Sequence, residues 1–391
     1  MNKNTLKKAL LVSLLALPLF GCNDKTPDKT SELQPTTGEV VDKHAAVSTL
    51  GKAMKASTSA AAISYNIEST KDFSFSVKES IHNSIENTDS EKSLNIVANT
   101  IAADYRTTTV DDGNEDQRQS SLELTAGQLH YDTAGANGSV SRNRSNVKFA
   151  SYIKDKTYYI DPTNKELAST AYDLADYVGL GNYRTVISLI MANKYYASKD
   201  DFESALEKTG HKDEIESWFD IFTSVSITNE IDEAIVEIDS KVDNWDWLIS
   251  YADANGDYTI YASLNKAEFL AFLDEMDPVE EGEERETYTE ALANVNFTSL
   301  EFSVTFNESG LKGVGTVFAL NGDKNDVDVY EETTLPFPGT DGIDTRKKVG
   351  YEDIHYEVSG GFKMTFGTET PKEPGTSGWT DISEIVDKYL K

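Results

Sequence analysis

The residue types able to do covalent or metal chemistry are sparse in this chain of 391 residues: one cysteine, Cys22, and five histidines at 44, 82, 130, 211 and 355. A thiol can be acylated, oxidised or bound to metal, and its neighbours decide which. Cys22 directly follows an apolar run from Ala9 to Phe20, broken only by Ser13 and Pro18. His44, His82, His130, His211 and His355 are far apart in sequence and form no pair at metal-ligand spacing. With no second cysteine, structural zinc is not expected. In "DANGD", Asp253, Asn255 and Asp257 offer oxygens at alternate positions as a calcium loop does, but glycine stands fourth and the twelfth position is Leu264. A hairpin turn explains the stretch better than an EF-hand. The run "DEMDPVEEGEERE", 274 to 286, reads as a solvated loop that offers at most a weak cation site. The sequence has neither a Gly-x-Ser-x-Gly elbow nor a phosphate-binding glycine loop.

One combination resembles two of the three motifs of the penicillin-recognising serine enzymes: Ser151-Tyr152-Ile153-Lys154 with Lys208-Thr209-Gly210. That chemistry needs the serine at a helix start and the lysine one turn away. Here the tetrad reads as a strand and its turn, with no Ser-x-Asn element between the two motifs. The chain is therefore read as not an enzyme, with a hydrolase ranking third among the functional readings.

The N-terminus is more informative. Lys3, Lys7 and Lys8 precede the apolar run without any acid, and the run is shorter than the roughly 20 residues a bilayer span needs. This is the layout of a secretory signal. It ends in Leu19-Phe20-Gly21-Cys22, which resembles the lipobox of bacterial lipoprotein precursors; Leu19 and Gly21 fit the usual pattern and Phe20 is a bulkier occupant. The resemblance implies a signal peptide over residues 1–21, cleavage before Cys22, a diacylglycerol thioether on Cys22 and a place on the extracytoplasmic face of a bacterial membrane. The competing reading is a buried core thiol that happens to follow an apolar segment. Lipidation would consume the only thiol, leaving a mature chain without disulfides. Each buried methylene of the acyl chains would add about 0.8 kcal/mol of membrane affinity.

Removing residues 1–21 takes away three lysines and no acid, so the formal net charge moves from −31 to −34. A surface this acidic argues against nucleic acid, whose phosphates need Lys and Arg, and against polybasic contact with anionic headgroups. Solubility and mutual repulsion account for it. The 19 Tyr and 16 Phe supply enough aromatic area for a substantial core.

Residues 22–42 read as the lipidated cysteine and a flexible polar tether. The rest, 43–391, reads as a sheet-dominated domain with two candidate lobes, 43–225 and 226–391. Helical spacing of Val47, Leu50 and Met54 gives way to period-two alternation at Phe73, Phe75 and Val77, at Leu94 and Ile96, and at Leu122 and Leu124. Turns are marked at 111–116 and 135–139. Tyr152-Ile153 and Tyr158-Tyr159-Ile160 flank a tight Lys-Asp-Lys turn. Asp161-Pro162 then predicts a helix start, and helical spacing runs through "YRTVISLIMANKYY" and "DEIESWFDIF". Strands resume at "AIVEI", "WDWLISYAD" and "GDYTIYASL", with Asn255-Gly256 as a hairpin signal. Asn265 and Glu268 form a capping box for a helix with Phe269, Phe272, Leu273 and Met276 on one face. Two more alternating strands follow, at 300–306 and 362–366, and "TDISEIVDKYLK" predicts a terminal helix. "TNKEL" at 163–167 faintly echoes "LNKAEF" at 264–269.

The expected fold is α+β: a large curved antiparallel β-sheet, half-barrel-like, with inserted helices packed on its concave face. This order of elements, with the tyrosine-rich hairpin "YIKDKTYYIDPTNKEL", resembles the half-barrel lipoproteins, including the carriers of the LolA and LolB type and the actinobacterial lipid-carrier lipoproteins. The resemblance implies an apolar groove for a lipid or lipidated ligand. Val186, Ile187, Ile190 and Met191 are the candidate lining residues, though a filled core is the commoner explanation of such a face. The rival reading is a structural or adhesive surface module with a solid core. No cofactor and no metal are expected, and the membrane, through the lipid anchor, is the one partner implied.

Overall fold

The computed structural model describes residues 33–85, 87–108, 117–135, 138–175, 177, 184–198, 200–201, 228–276, 287–332 and 346–382. In chain order the elements are β1 (Glu39–Val40), α1 (Lys43–Thr58), β2 (Ala62–Asn83), β3 (Thr88–Thr108), β4 (Ser120–Gly135), β5 (Gly138–Lys154), β6 (Thr157–Asp161), α2 (Lys165–Leu174), α3 (Arg184–Ile190), β7 (Lys194–Ser198), α4 (Thr228–Lys241), β8 (Leu248–Ala252), β9 (Tyr258–Ser263), α5 (Lys266–Met276), α6 (Tyr288–Ala291), β10 (Val295–Asn307), β11 (Gly310–Glu332), β12 (Arg346–Gly367) and β13 (Trp379–Asp381). The strands form one open sheet of 13, in the order β1-β8-β9-β10-β11-β12-β2-β3-β4-β5-β6-β7-β13, and it does not close into a barrel. Pairing is antiparallel except between β13 and β7. β12 lies along β2 from Gly350 opposite Asn83 to Gly367 opposite Ser64, so strands from both halves of the chain share the sheet. Among the described residues no helix is long and apolar enough to cross a membrane.

β2, β3, β11 and β12 run 21 to 23 residues, about four times the usual strand. They stay on one apolar face because their alternation is reset midway. On β3 the buried positions are even before the break, Leu94 and Ala98, and odd after it, Ala103 and Thr107, and Thr100 between them has φ of 50°. Gly127 faces Thr100 from β4, where a Cβ would lie 2.9 Å from the threonine Cβ. On β5, Asn146 repeats the left-handed conformation with φ of 58°. One residue out of the pleat exchanges the two faces, so the break keeps both halves pointing apolar side chains the same way. At Gly360 on β12 the halves meet: an added Cβ would touch Phe318 at 3.1 Å, Phe362 at 3.3 Å and Phe73 at 3.6 Å.

The main core lies where α1, α4 and α5 pack on β8 to β12. Asp42 caps α1 by accepting from the Ala45 N–H at 2.9 Å. Gly51 lets α4 approach closely, with Ile235 3.1 Å from where a Cβ would stand. The capping box of α5 forms as expected: Glu268 accepts from the Asn265 N–H at 2.8 Å, and Asn265 accepts from the Glu268 N–H at 3.0 Å. Phe269, Phe272, Leu273 and Met276 are all buried. Elsewhere α2 is pinned to the sheet by Asp173, which accepts from the Tyr131 hydroxyl at 2.6 Å and from Arg144 at 2.7 Å. On the opposite face the C-terminal segment crosses the strands, where Lys372 bridges Asp104 at 2.8 Å and Glu123 at 2.6 Å.

Three local expectations are corrected. "AIVEI" lies in α4, not in a strand: Ile231, Ile235, Ile238 and Val242 recur at helical spacing and the first, third and fourth are buried. The helix after Pro162 begins at Lys165, because Asn164 accepts from the Leu167 N–H at 2.9 Å, while Asp161 is spent on the Thr163 N–H at 3.1 Å. Residues 194–198 form β7 instead of extending a helix, because Tyr195 and Ala197 are buried in pairing with β6. The Lys-Asp-Lys turn is present, with Asp155 and Lys156 at φ of 50° and 61°, which matches the right-handed twist of the hairpin. Residues 111–116, "DEIESWFDIF", most of the acidic run and "SEIVDKYLK" lie outside the described residues.

Candidate functional site

Between the helices and the sheet lies an apolar cavity of about 90 Å³. Val47, Leu50 and Met54 of α1 form one wall; Phe269, Phe272 and Leu273 of α5 form another. The floor comes from β8 to β11, with Leu248, Ile260, Phe302 and Val314. Trp245 and Trp247 also line it, stacked at 5.3 Å between ring centroids, with Phe272 edge-on to both. Among the described residues no charged side chain lines the cavity. The walls are apolar for a local reason: α1 and α5 each turn one apolar stripe inward, and the strands contribute every second residue.

Polar groups gather at the rim and hold the walls in place. The Trp245 indole N–H donates to Glu275 at 3.0 Å, and Lys241 donates to the Glu275 carbonyl at 2.8 Å and to Glu237 at 2.9 Å. Lys43 donates to the Trp245 carbonyl at 2.8 Å. His44 of α1 stands between Asp239 at 2.9 Å and Asp243 at 3.2 Å, and these hydrogen bonds to carboxylates raise its pKa above the ordinary 6.5. Beyond the cavity, burial pushes the Tyr65 phenol, which stacks on Tyr105, up to about 12.

The residues singled out from sequence fall elsewhere. Cys22 lies outside the described residues. Val186, Ile187, Ile190 and Met191 belong to α3 and the turn after it, and Ile187, Ile190 and Met191 are not among the residues that line the cavity. Ile187 and Met191 are half-buried, Ile190 is 42% exposed, and the side chain of Val186 is outside the description. Ser151 and Lys154 sit in β5, with Lys154 paired to Glu373, while Lys208, Thr209 and Gly210 are outside the described residues. The described histidines each face carboxylates: His82 with Asp89, His130 with Asp132, His355 with Asp323 and Glu357. Among the described residues no group of three or more His, Cys, Asp or Glu could hold a metal. The oxygens of "DANGD" are taken by the turn itself: Asp253 accepts from the Asn255 and Asp257 N–H groups, and Asp257 pairs with Lys312. Trp245, Trp247 and Ile238 carry the site yet escaped the sequence reading; the four-three-four spacing through Ile231, Ile235, Ile238 and Val242 was the available signal.

No family model matches the chain, and no curated protein matches it at a significant level.

Proposed function

We propose that this protein is a lipoprotein held through Cys22 on the extracytoplasmic face of a bacterial membrane, where it binds the apolar part of a lipid or other amphiphile without catalysing a reaction. On this reading residues 22–42 are the tether, the open sheet curves as a half-barrel with the helices on its concave face, and nucleic acid is excluded by the acidic surface. The observation that carries it is the uncharged cavity between α1, α5 and the sheet. Buried space walled by apolar side chains stays dry and gains free energy when an apolar group fills it.

A second reading has its own support. The volume of about 90 Å³ is well below the roughly 300 Å³ at which small-molecule sites begin. That favours an anchored interaction module with a nearly solid core; a lipid carrier needs α1 and α5 to part as the chain enters. Native mass spectrometry of the protein purified without detergent, followed by organic extraction, separates the two. A reproducible lipid at defined stoichiometry is expected, and a bare mass after incubation with a host lipid extract leaves the module. Membrane fractionation tests the anchor: Cys22→Ser should lose palmitate labelling and leave the membrane fraction, and unchanged labelling refutes it.

A further inference from the structure

Residues 33–42 are bound to the sheet. Leu33 is seated on β11 and β10: a Cβ at Gly315 would lie 2.7 Å from the Leu33 Cδ2 and 2.7 Å from the Ser303 Oγ. The Gln34 side-chain amide donates to the Tyr251 hydroxyl at 2.8 Å. β1 then pairs with β8, Glu39 opposite Ala252 and Val40 opposite Tyr251, and the Val41 N–H donates to the Ser250 carbonyl at 2.9 Å. Gly38 permits the approach: its φ is 118°, and a Cβ there would lie 3.0 Å from the Ala252 carbonyl oxygen. Val314, next to Gly315, lines the cavity, and so do Phe302 and Val304 on either side of Ser303. Strand alternation therefore turns Gly315 and Ser303 to the outer face of the sheet, away from the cavity. The segment starts on that face, rounds the β8 edge and enters α1 on the cavity side.

Reach and charge both tie this outer face to the membrane. The eleven residue steps from Cys22 to Leu33 span at most about 40 Å. β12, with 22 residues, is about 70 Å long, so the anchor cannot range over the whole sheet. Around Leu33, the strand segments 259–263, 301–305, 313–317 and 363–365 hold one acid, Glu301, and one base, Lys363. Of the outward positions, Ser263, Lys363 and Thr365 are exposed. In a chain of net charge −31 this balanced patch is a place where anionic headgroups meet no repulsion.

We propose that the outer face of β9 to β12 beside Leu33 is the side this protein turns to the lipid surface, held there by the clasp of Leu33, Gln34 and β1, with α1, α5 and the cavity facing away. The inference rests on the anchor at Cys22 and shortens its tether to residues 22–32. In this orientation a ligand reaches the cavity from the aqueous side, not sideways out of the bilayer.

The test uses the full chain, matured in a bacterial host and reconstituted in phosphatidylcholine vesicles that carry a rhodamine-labelled lipid as energy acceptor. Lipidation of Cys22 leaves an introduced cysteine as the one free thiol for a donor dye. Ser263→Cys or Thr365→Cys places the donor on the outer face, and Ser48→Cys places it on the exposed side of α1. Transfer to a plane of acceptors falls as the fourth power of distance, and a helix layer adds about 10 Å, so the outer donors should transfer at least about twofold faster than the one on α1. In the variant Leu33→Asp, Gln34→Ala that difference should shrink, with an unchanged circular dichroism spectrum as the proof of folding. Equal transfer from both sides, faster transfer from α1, or a difference that survives loss of the clasp overturns the inference and leaves the anchor intact. Donor-to-donor transfer between copies in place of transfer to lipid gives the face to a second copy and overturns it as well. A chain recovered without an acyl group, and without transfer at any position, removes both the anchor and the orientation.

Discussion

Ala262→Val is the sharpest probe of whether the cavity is open space. Ala262 sits on β9 between Leu248 and Phe302, 6% exposed, with its side chain on the cavity wall. At roughly 24 cal/mol per Å³, an empty cavity of about 90 Å³ costs about 2 kcal/mol. Valine adds two carbons, each worth about 0.8 kcal/mol when buried. About 0.5 kcal/mol is lost again in side-chain freedom, and a β-branched residue suits a strand. The variant should therefore be about 1 kcal/mol more stable than the parent. In urea, read by tryptophan emission, the midpoint should rise by about 0.3 M at an unchanged slope near 3 kcal/mol/M. The same methyls should weaken hexane binding severalfold by occupying its space. A midpoint that falls by a comparable amount would show that the wall is already in contact and the space is not there. A midpoint that rises while probe binding stays the same would place any ligand elsewhere.

Three further outcomes follow from the packing. Gly350→Ala should cost about 2–3 kcal/mol, because the new Cβ would lie 1.8 Å from the His82 carbonyl oxygen and force β12 away from β2; an unchanged melting temperature would contradict that pairing. Tyr131→Phe should cost about 1–2 kcal/mol in chemical denaturation, because it removes the 2.6 Å hydrogen bond that ties α2 to β4 through Asp173. His44→Gln should lower stability at acid pH only: Asp239 and Asp243 raise the histidine pKa, so its contribution is complete below about pH 6.5 and is lost as pH rises through the higher folded value. A gap between parent and variant that widens above neutrality would refute that clasp.

Much of the architecture is legible in residue order because the rules that set it are local. The capping box at Asn265 and Glu268, the helix through Val47, Leu50 and Met54, and the alternation from Leu300 to Phe306 all appear where periodicity and capping chemistry place them. The errors are local ambiguities settled by distant partners. "AIVEI" suits a strand by propensity and a helix by spacing, and the decision comes from α1, whose Gly51 opens a groove for Ile235. Tyr195 and Tyr196 continue a helical stretch in sequence, but β6 offers them a pairing edge.

By itself the sequence determined a formal net charge of −31 and an aromatic-rich chain with long alternating stretches, while an anchor at Cys22 and the exclusion of nucleic acid are expectations drawn from it. Tertiary structure decided the order of the 13 strands, the belt at Thr100, Gly127 and Asn146 that keeps one face apolar, and the site. The cavity draws on residues from Val47 to Val314, brought together by pairings between strands far apart in the chain. Its volume is what remains when those side chains fail to fill the space between helices and sheet. No local pattern encodes such a remainder, because packing depends on all the walls at once.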